Sequence, residues 1–226
     1  MVLTDKIRKR LFDCADPGYA EFILRLTPGL ERETVIGVRS PELRRICRSL
    51  DGAETAEFMK ELPHKYFEEN NLHSMLICRI KDEDACMEAL EAFLPYIDNW
   101  ATCDIVSPAV FKRKREKLRA RIRVWISSDR VYTVRAGVGM LMKYFLDDAF
   151  SPEYNDLVAG IVSDEYYVNM MCAWYFATAL AKQYDATEPY LRDRRLTEQV
   201  RKMTLKKANE SFRIPDERKK RLKELR

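Results

Sequence analysis

An indole and a carboxylate stand four residues apart near the middle of the chain, at Trp100 and Asp104. On a helix that is capped at Asp98, this spacing places the two side chains on one face, one turn apart. A carboxylate held in apolar surroundings can stabilise positive charge that develops on a reacting group. The structural alternative is that Asp104 caps or ion-pairs a neighbouring helix while Trp100 fills the core, which is the commoner role for such residues.

Two more side chains of chemical interest lie in long apolar segments further along the chain. Arg135 falls inside a predicted helix, where its planar guanidinium could hold a carboxylate or a phosphate. Its alternative partner is internal, namely the carboxylate of Asp104. Trp174 falls inside the uncharged run 166–181, and on that ground alone it is expected in the core.

Positive charge is concentrated in two parts of a chain whose formal net charge is only +4. Segment 191–226 holds fourteen Lys or Arg against six Asp or Glu, and segment 112–123 is almost unbroken in basic residues from Lys112 and Arg113 onward. Such clusters bind polyanions, because neutralising phosphates releases condensed counterions. The alternative is a solvated helix face in one segment and a frayed basic tail in the other.

The composition disfavours several kinds of site and location. The chain has only two histidines, His64 and His73, and its six cysteines are scattered without a C-x-x-C pair. We therefore expect neither structural zinc nor a disulfide framework. The first twenty residues carry charges where a signal peptide needs an apolar run, and the longest uncharged run is too short and too polar for a membrane span. These features predict a cytoplasmic protein.

Composition and internal repeats predict an all-α protein. Glycine is scarce, with seven residues, while helix-favouring residues fill long segments. The pair Ser128-Asp129 recurs as Ser163-Asp164 thirty-five residues later. We interpret each pair as the N-cap of a long apolar helix, over 132–146 and 166–180, and a fainter third copy covers 62–80. A repeat of this length with two helices per unit is typical of a helical solenoid.

No Gly/Ser-rich linker divides the chain, so we predict one domain over residues 1–226, with a basic segment from about residue 212. Near the start of the chain, Ser40-Pro41 is interpreted as an N-cap followed by proline at the first helical position, opening a helix over 42–50.

Four segments together carry a resemblance to a known family. They are Asn99-Trp100-x-x-x-Asp104, Trp125-Ile126-x-Ser128-Asp129-x-x-Tyr132-x-x-Arg135-Ala136, Tyr167-Val168-x-x-x-x-x-Trp174, and Gly37-Val38-Arg39-Ser40-Pro41-x-x-Arg44-Arg45. In order and spacing they resemble those of the AlkD-type alkylpurine DNA glycosylases, over most of residues 10–210. The resemblance implies a curved solenoid of HEAT-like antiparallel helix pairs whose concave, positively charged face holds duplex DNA.

The resemblance also implies roles for individual residues. Asp104 resembles the catalytic aspartate, Trp100 and Trp174 resemble two tryptophans that pack against the deoxyribose of the damaged nucleotide, and Arg135 resembles an arginine on the adjacent phosphate. DNA-binding residues are expected among the basic side chains near these motifs, namely Arg135, Lys112, Arg113, Arg39, Arg44 and Arg45. One departure concerns the second tryptophan, around which the family often has basic residues, whereas residues 170–177 here carry no charge.

The implied activity is hydrolysis of the N-glycosidic bond of positively charged N3- or N7-alkylated purines in duplex DNA, without a cofactor. An alkylated purine already carries the charge of a good leaving group, so a carboxylate near the sugar is sufficient and no histidine is needed. Duplex DNA containing such purines is the expected partner, and neither a membrane nor an obligatory protein partner is expected. Two alternatives stay open: a non-catalytic nucleic-acid-binding HEAT-like protein, and a HEAT-type protein-interaction scaffold.

Overall fold

Helices account for all the regular secondary structure of residues 3–225, the part of the chain that the computed structural model describes, with side chains from residue 5 onward. This confirms the predicted all-α class. The helices are numbered α1 to α14 in chain order, and they are joined by loops and short 3₁₀ segments. The chain divides into two compact units at residues 113 and 114.

The first unit contains seven α-helices within its described residues. They are α1 (Leu3–Phe12), α2 (Pro17–Leu26), α3 (Ser40–Ser49), α4 (Gly52–Lys60), α5 (Phe67–Ile77), α6 (Glu83–Phe93) and α7 (Trp100–Ile105). Short 3₁₀ helices cover Arg32–Thr34, Leu94–Tyr96 and Ala109–Lys112. Helix α5 packs most extensively against α3 and α7, and less against α4 and α6, its neighbours in sequence. Fully buried apolar side chains, including Ile46 of α3, Phe58 of α4 and Leu72 of α5, form one core cluster, and each contributes about 1.5–3 kcal/mol.

The polar residues of α5 are buried as completely as its apolar ones. Glu68 has no exposed surface, and its carboxylate accepts hydrogen bonds from the backbone N–H groups of Ile36 at 2.9 Å, Gly37 at 2.7 Å and Val38 at 3.2 Å. Burial raises the pKa of Glu68, and the three backbone donors oppose that rise. This carboxylate fixes the segment that leads into α3.

Glycine is required at position 37 of the same segment. Gly37 has a φ of +92°, a conformation that other residues rarely adopt, and a Cβ at this position would collide with the backbone carbonyl of Asp16. Its own carbonyl accepts a hydrogen bond from the Asp16 N–H at 3.1 Å. The sequence motif that begins at Gly37 therefore has a structural role, because it forms the turn that sets the direction of α3.

The second unit contains the remaining seven α-helices. They are α8 (Glu116–Trp125), α9 (Val131–Tyr144), α10 (Glu153–Ala159), α11 (Tyr166–Lys182), α12 (Tyr184–Arg192), α13 (Glu198–Glu210) and α14 (Asp216–Glu224). Helix α11 is the central element, because it packs against α9, α12 and α13. Its side chains are mostly buried, with Tyr175 and Phe176 wholly enclosed. Helix α14 packs on α13 and buries Leu222, so the basic segment after residue 212 includes an ordered helix.

The helices of both recurring segments are present, but their Ser-Asp pairs are not N-caps. The N-cap residues of α9 and α11 are Arg130 and Glu165, and neither makes a side-chain capping bond. The hydroxyl of Ser128 accepts the N–H of Arg130, and that of Ser163 accepts the N–H of Glu165, each at 3.1 Å. A serine that closes a turn two residues ahead competes with helix capping, so the repeat marks the preceding turn.

Two other predicted helix starts shift by one or two residues. Helix α7 is capped by Asn99 and not by Asp98, because the Asn99 side-chain oxygen accepts the N–H of Thr102 at 2.9 Å. Helix α3 begins at Ser40 after Arg39, where the predicted start was residue 42. The third repeat copy is confirmed as a helix, since α5 lies within 62–80. The prediction of one domain over residues 1–226 stays a prediction.

Candidate functional site

Helix α7 carries the predicted indole and carboxylate. Trp100 is its first residue and Asp104 lies one turn later, so the two side chains leave the same side of the helix. Both side chains are half-buried. Six residues make a helix that is too short to be stable alone, so its position depends on the elements that hold it.

Buried polar groups of α5 hold α7 in place. The Thr102 hydroxyl donates to the Asn71 side-chain oxygen at 2.8 Å, and Ser74 donates to the Thr102 carbonyl at 3.1 Å. At the end of α7 the Cys78 thiol lies 3.6 Å from the carbonyl oxygen of Ile105. Three directional contacts along one side of a six-residue helix define both its position and its rotation. The orientation of α7, the helix that carries Asp104, is therefore set by contacts with α5 and the residue after it.

The indole of Trp100 is anchored separately. Its Nε1–H donates to the carbonyl of Leu26, the last residue of α2, at 3.2 Å. The next residue, Ala101, packs on a small apolar cluster that includes Ala20 and Ile23 of α2. The hydrogen bond satisfies a carbonyl at the end of a helix, where the backbone has no partner of its own. Trp100 is thus a fixed aromatic surface beside the carboxylate.

A cavity of about 390 Å³ lies between α3, α5 and the end of α7. Ile105, which follows Asp104, contributes to its wall, and the charged side chains in the wall are Arg44, Arg48 and Arg79. Within the part of the chain that the structure describes, no carboxylate lines this cavity. Arg79 also donates to the carbonyls of residues 47 and 50 at the end of α3, which holds its guanidinium in place. The cavity is a cationic site directly beside the helix of the candidate carboxylate.

The three arginines that the sequence predicted to bind DNA near α3, namely Arg39, Arg44 and Arg45, have different partners in the structure. Arg39 is paired with Asp16 at 2.9 Å and lies over the Tyr19 ring, and Arg45 is paired with Glu42 at 2.7 Å. Arg44 has no ion pair within residues 5–225 and faces the cavity. Sequence reasoning missed Arg48 and Arg79. Arg48 follows Arg44 by four residues on a helix, which was the available signal.

In the second unit, Arg135 is buried at 3 % exposure on α9. Its guanidinium donates to the carbonyl of Tyr167 at 2.9 Å, so it braces the start of α11. The ring of Tyr167 packs against that of Tyr132, with centroids 5.9 Å apart. The sequence predicted that Arg135 faces a phosphate, whereas in the structure its guanidinium is already bonded to a backbone carbonyl inside the protein.

Trp174 is more exposed than the sequence suggests. Its side chain is 41 % exposed, although most other residues of α11 are buried. A cation from α13 accompanies it, because the Lys207 ammonium lies 6.0 Å from the centre of the indole. The indole is therefore available to a ligand and does not fill the core.

The basic segment 112–123 divides into paired and unpaired side chains. Arg115 is paired with Asp148 at 2.9 Å and Arg123 with Glu153 at 2.7 Å. Lys112 and Arg113 are exposed at the end of the first unit, and neither has an ion pair within the described residues. They remain available to a polyanion.

A larger cavity, of about 610 Å³, lies in the second unit at the two recurring Ser-Asp turns. The charged side chains in its wall are Asp129, Asp156 and Glu165. Three carboxylates repel phosphate, so size alone does not make this cavity the nucleic-acid site.

The histidines and the buried thiols offer no base or nucleophile at neutral pH. His64 and His73 form a buried pair with 2.8 Å between Nε2 of His64 and Nδ1 of His73. Burial lowers the pKa of His64 to about 4 and that of His73 to about 3. Burial also raises the pKa of the Cys86 and Cys172 thiols to about 12. These four side chains are therefore not candidates for a catalytic base or nucleophile at neutral pH.

The described residues contain neither a metal-binding cluster nor a membrane-spanning helix. Side chains of His, Cys, Asp and Glu nowhere come together in threes as a metal site requires, within residues 5–225. None of the helices in the described part of the chain combines the length and the apolarity needed to cross a bilayer.

Together these features define an all-helical protein with an anchored indole–carboxylate pair and a cationic cavity beside it. The chain belongs to the DNA alkylation repair enzyme family, whose model matches residues 7–212. The match covers every candidate site residue named above. No curated protein matches the chain.

Proposed function

We propose that the protein is a monofunctional DNA glycosylase that releases positively charged N3- or N7-alkylpurines from duplex DNA. Membership of the DNA alkylation repair enzyme family supports a role in alkylation repair. The observation that carries the finer assignment is the setting of Asp104. This carboxylate is half-buried, stands one turn from an anchored indole, and lies on a helix whose end lines a cavity with three arginines.

The proposed reaction uses each of these parts. Cleavage of the N-glycosidic bond builds positive charge on the deoxyribose, which the Asp104 carboxylate stabilises while it orients the attacking water. The face of Trp100 excludes bulk water and presents its negative quadrupole to the same charge. Arg44 and its two neighbours in the cavity hold a backbone phosphate, which positions the sugar against the carboxylate.

Contributions from residues outside α7 and its neighbouring cavity are also proposed. Trp174 packs against the DNA sugar through its exposed face, in agreement with its 41 % exposure. Arg135 acts mainly by holding the start of α11, since one of its N–H groups is already bonded to a backbone carbonyl. Lys112 and Arg113 contribute long-range attraction to DNA, whereas Arg39 and Arg45 contribute less because each has a carboxylate partner.

The fold we propose for this function is the predicted solenoid of HEAT-like helix pairs. Two observations support it. In each unit alternate helices pack as neighbours: α5 packs against α3 and α7, and α11 packs against α9 and α13. In addition, helices α5, α7, α9, α11 and α13 begin at residues 67, 100, 131, 166 and 198, a nearly regular spacing.

The catalytic assignment is tested by measuring release of 7-methylguanine from methylated duplex DNA. Asp104→Asn keeps the size of the side chain but removes its charge, and we expect release to slow by about 10²–10³-fold with DNA binding nearly unchanged. The control is Asp98→Asn, which makes the same charge change at an exposed position just before α7. If the unaltered protein releases no alkylpurine at any concentration, the assignment is wrong.

The binding assignment is tested with arginines from one helix. Arg44→Ala should weaken binding to an undamaged duplex and reduce the salt dependence of the affinity by about one phosphate contact. Arg45→Ala removes the same charge from a residue that is already paired with Glu42, and we expect a smaller effect. Equal effects of the two variants would argue against a specific role for the cavity. Salt-dependent binding without base release would favour the non-catalytic alternative.

A further inference from the structure

A cavity of about 290 Å³ adjoins Trp174 in the second unit. One wall comes from α11, with the small residues Ala177 and Ala181 beside the indole. The other wall comes from the end of α13 and the loop after it, with Lys207 and Arg213. Small side chains on one wall and cations on the other leave room for a charged group next to the aromatic face.

Both cations of this cavity are without a carboxylate partner in the described part of the chain. Lys207 contacts the Trp174 ring but forms no ion pair with any described residue, and the same holds for the exposed Arg213 guanidinium. This distinguishes them from other cations of the same basic segment, since Arg192 and Arg195 are bonded to Asp193 and Asp156. Paired cations offer little to a ligand, whereas unpaired ones retain their attraction for anions.

The loop between α13 and α14 adds order and an aromatic group. The Ser211 hydroxyl accepts the N–H of Arg213 at 3.2 Å, which fixes the turn and leaves the hydroxyl hydrogen free to donate. Between these residues the side chain of Phe212 is fully exposed. One carboxylate, Glu210, also lines the cavity, so the net charge of its wall is positive by one. The combination of two cations, a hydroxyl and the Trp174 indole suits a phosphodiester of nucleic acid.

The position of these cations matters because α11 itself supplies none near Trp174. Residues 170–177 carry no charge. The cations come from α13 and from a residue beyond 212, where the match to the family ends. The structure thus supplies positive charge to the second indole from a different helix.

We propose that Lys207 and Arg213 form a phosphate subsite that holds the DNA backbone beside Trp174. This proposal rests on the proposed DNA-binding function and extends it to the basic segment at the end of the chain. The segment is a working part of the binding surface and not only a solvated tail. Its ligand is a phosphodiester of duplex DNA, held by the Lys207 ammonium and the Arg213 guanidinium on either side of one phosphate.

The test measures the affinity for a short undamaged duplex over a series of salt concentrations. For the double variant Lys207→Ala/Arg213→Ala we expect about tenfold weaker binding, and a salt slope lower by about one. Lys207→Arg should retain most of the affinity, because the charge remains. The control is Lys206→Ala, an exposed lysine on the same helix that does not line the cavity. Thermal unfolding of each variant verifies that the fold is intact.

The outcomes separate this inference from the function on which it depends. If the unaltered protein binds no DNA at low salt, the proposed function fails. If it binds DNA and the double variant keeps the same affinity and salt slope, the subsite is refuted while the function stands. Equal losses in the double variant and in Lys206→Ala would also refute it, since general charge would then be the cause.

Discussion

Lowering the pH from 7 to 5 should destabilise the folded protein through its two buried histidines. His64 and His73 are the only histidines of the chain, and the rings of Phe58 and Phe93 stack on them at 4.5 and 4.0 Å. Their mutual hydrogen bond needs one ring to donate and the other to accept. Protonation of both rings would set two donors against each other inside an apolar core.

The size of the effect follows from the pKa values. In the unfolded chain both histidines titrate near 6.5, whereas in the folded protein the pKa of His64 is about 4 and that of His73 about 3. Above pH 6.5 both states are neutral, so the full stability is present. Below that pH the unfolded state binds protons that the folded state does not, so stability falls until the folded pKa values are reached. Between pH 7 and pH 5 the loss is roughly 2 kcal/mol for each histidine, about 4 kcal/mol for the pair.

Urea unfolding at the two pH values measures this loss. The double variant His64→Leu/His73→Leu removes both titrating groups, so its stability should vary far less over the same pH interval. Glu68 is present in both proteins, and the contribution of its raised pKa cancels in the comparison. Proton NMR of the unaltered protein gives an independent check, because neither ring should titrate above pH 5. A histidine signal that titrates near 6.5 in the folded protein would refute the reasoning.

Three further predictions concern the parts that position the site. Asn71→Ala removes the acceptor of the buried Thr102 hydroxyl on α7, so it should lower the free energy of unfolding in urea by about 1–3 kcal/mol and slow base release. The control is Asn70→Ala, which should cost less because the Asn70 side-chain oxygen has no hydrogen-bond partner among the described residues. A larger loss for Asn70→Ala than for Asn71→Ala would contradict the role given to α5. Gly37→Ala should lower the free energy of unfolding by more than about 2 kcal/mol, because the added Cβ collides with the backbone and the positive φ is strained for alanine. Gly29 also has a positive φ but has open space around it, so Gly29→Ala should cost only about 1 kcal/mol in the same urea unfolding assay. Trp100→Phe keeps an aromatic face but loses the hydrogen bond to the Leu26 carbonyl at the end of α2, so we expect slower base release with little change in DNA affinity. An unchanged rate of release would show that this hydrogen bond is unimportant for catalysis.

Much of the fold follows from features that a sequence displays directly. The predicted helix over 166–180 agrees closely with α11, because a long uncharged run between turns has no other stable arrangement in a helical protein. The start of α7 was predicted one residue early, because Asp98 and Asn99 are both good N-caps and only geometry chooses between them. The Ser128 and Ser163 turns show the same ambiguity, since serine closes turns as readily as it caps helices.

The candidate site was less predictable, because it depends on partners that lie far away in sequence. Arg44 and Arg45 are adjacent, and only the structure shows that Arg45 has a carboxylate partner while Arg44 has none among the described residues. Trp174 was expected in the core from its apolar neighbours, yet its own position on α11 leaves it exposed. Glu68 gave no signal at all, since its three donors come from a loop some thirty residues earlier in the chain.

Helix α5 has a consequence for how related sequences should be judged. None of its polar side chains is proposed to contact DNA, yet they hold α7 and so govern the orientation of the helix that carries Asp104. A homologue that retained both tryptophans and the aspartate but exchanged Asn71 or Ser74 for leucine would fold and bind substrate with its acid misdirected. Surveys that score activity from the reactive side chains alone would count such a protein as competent, and a survey that also inspects α5 would not.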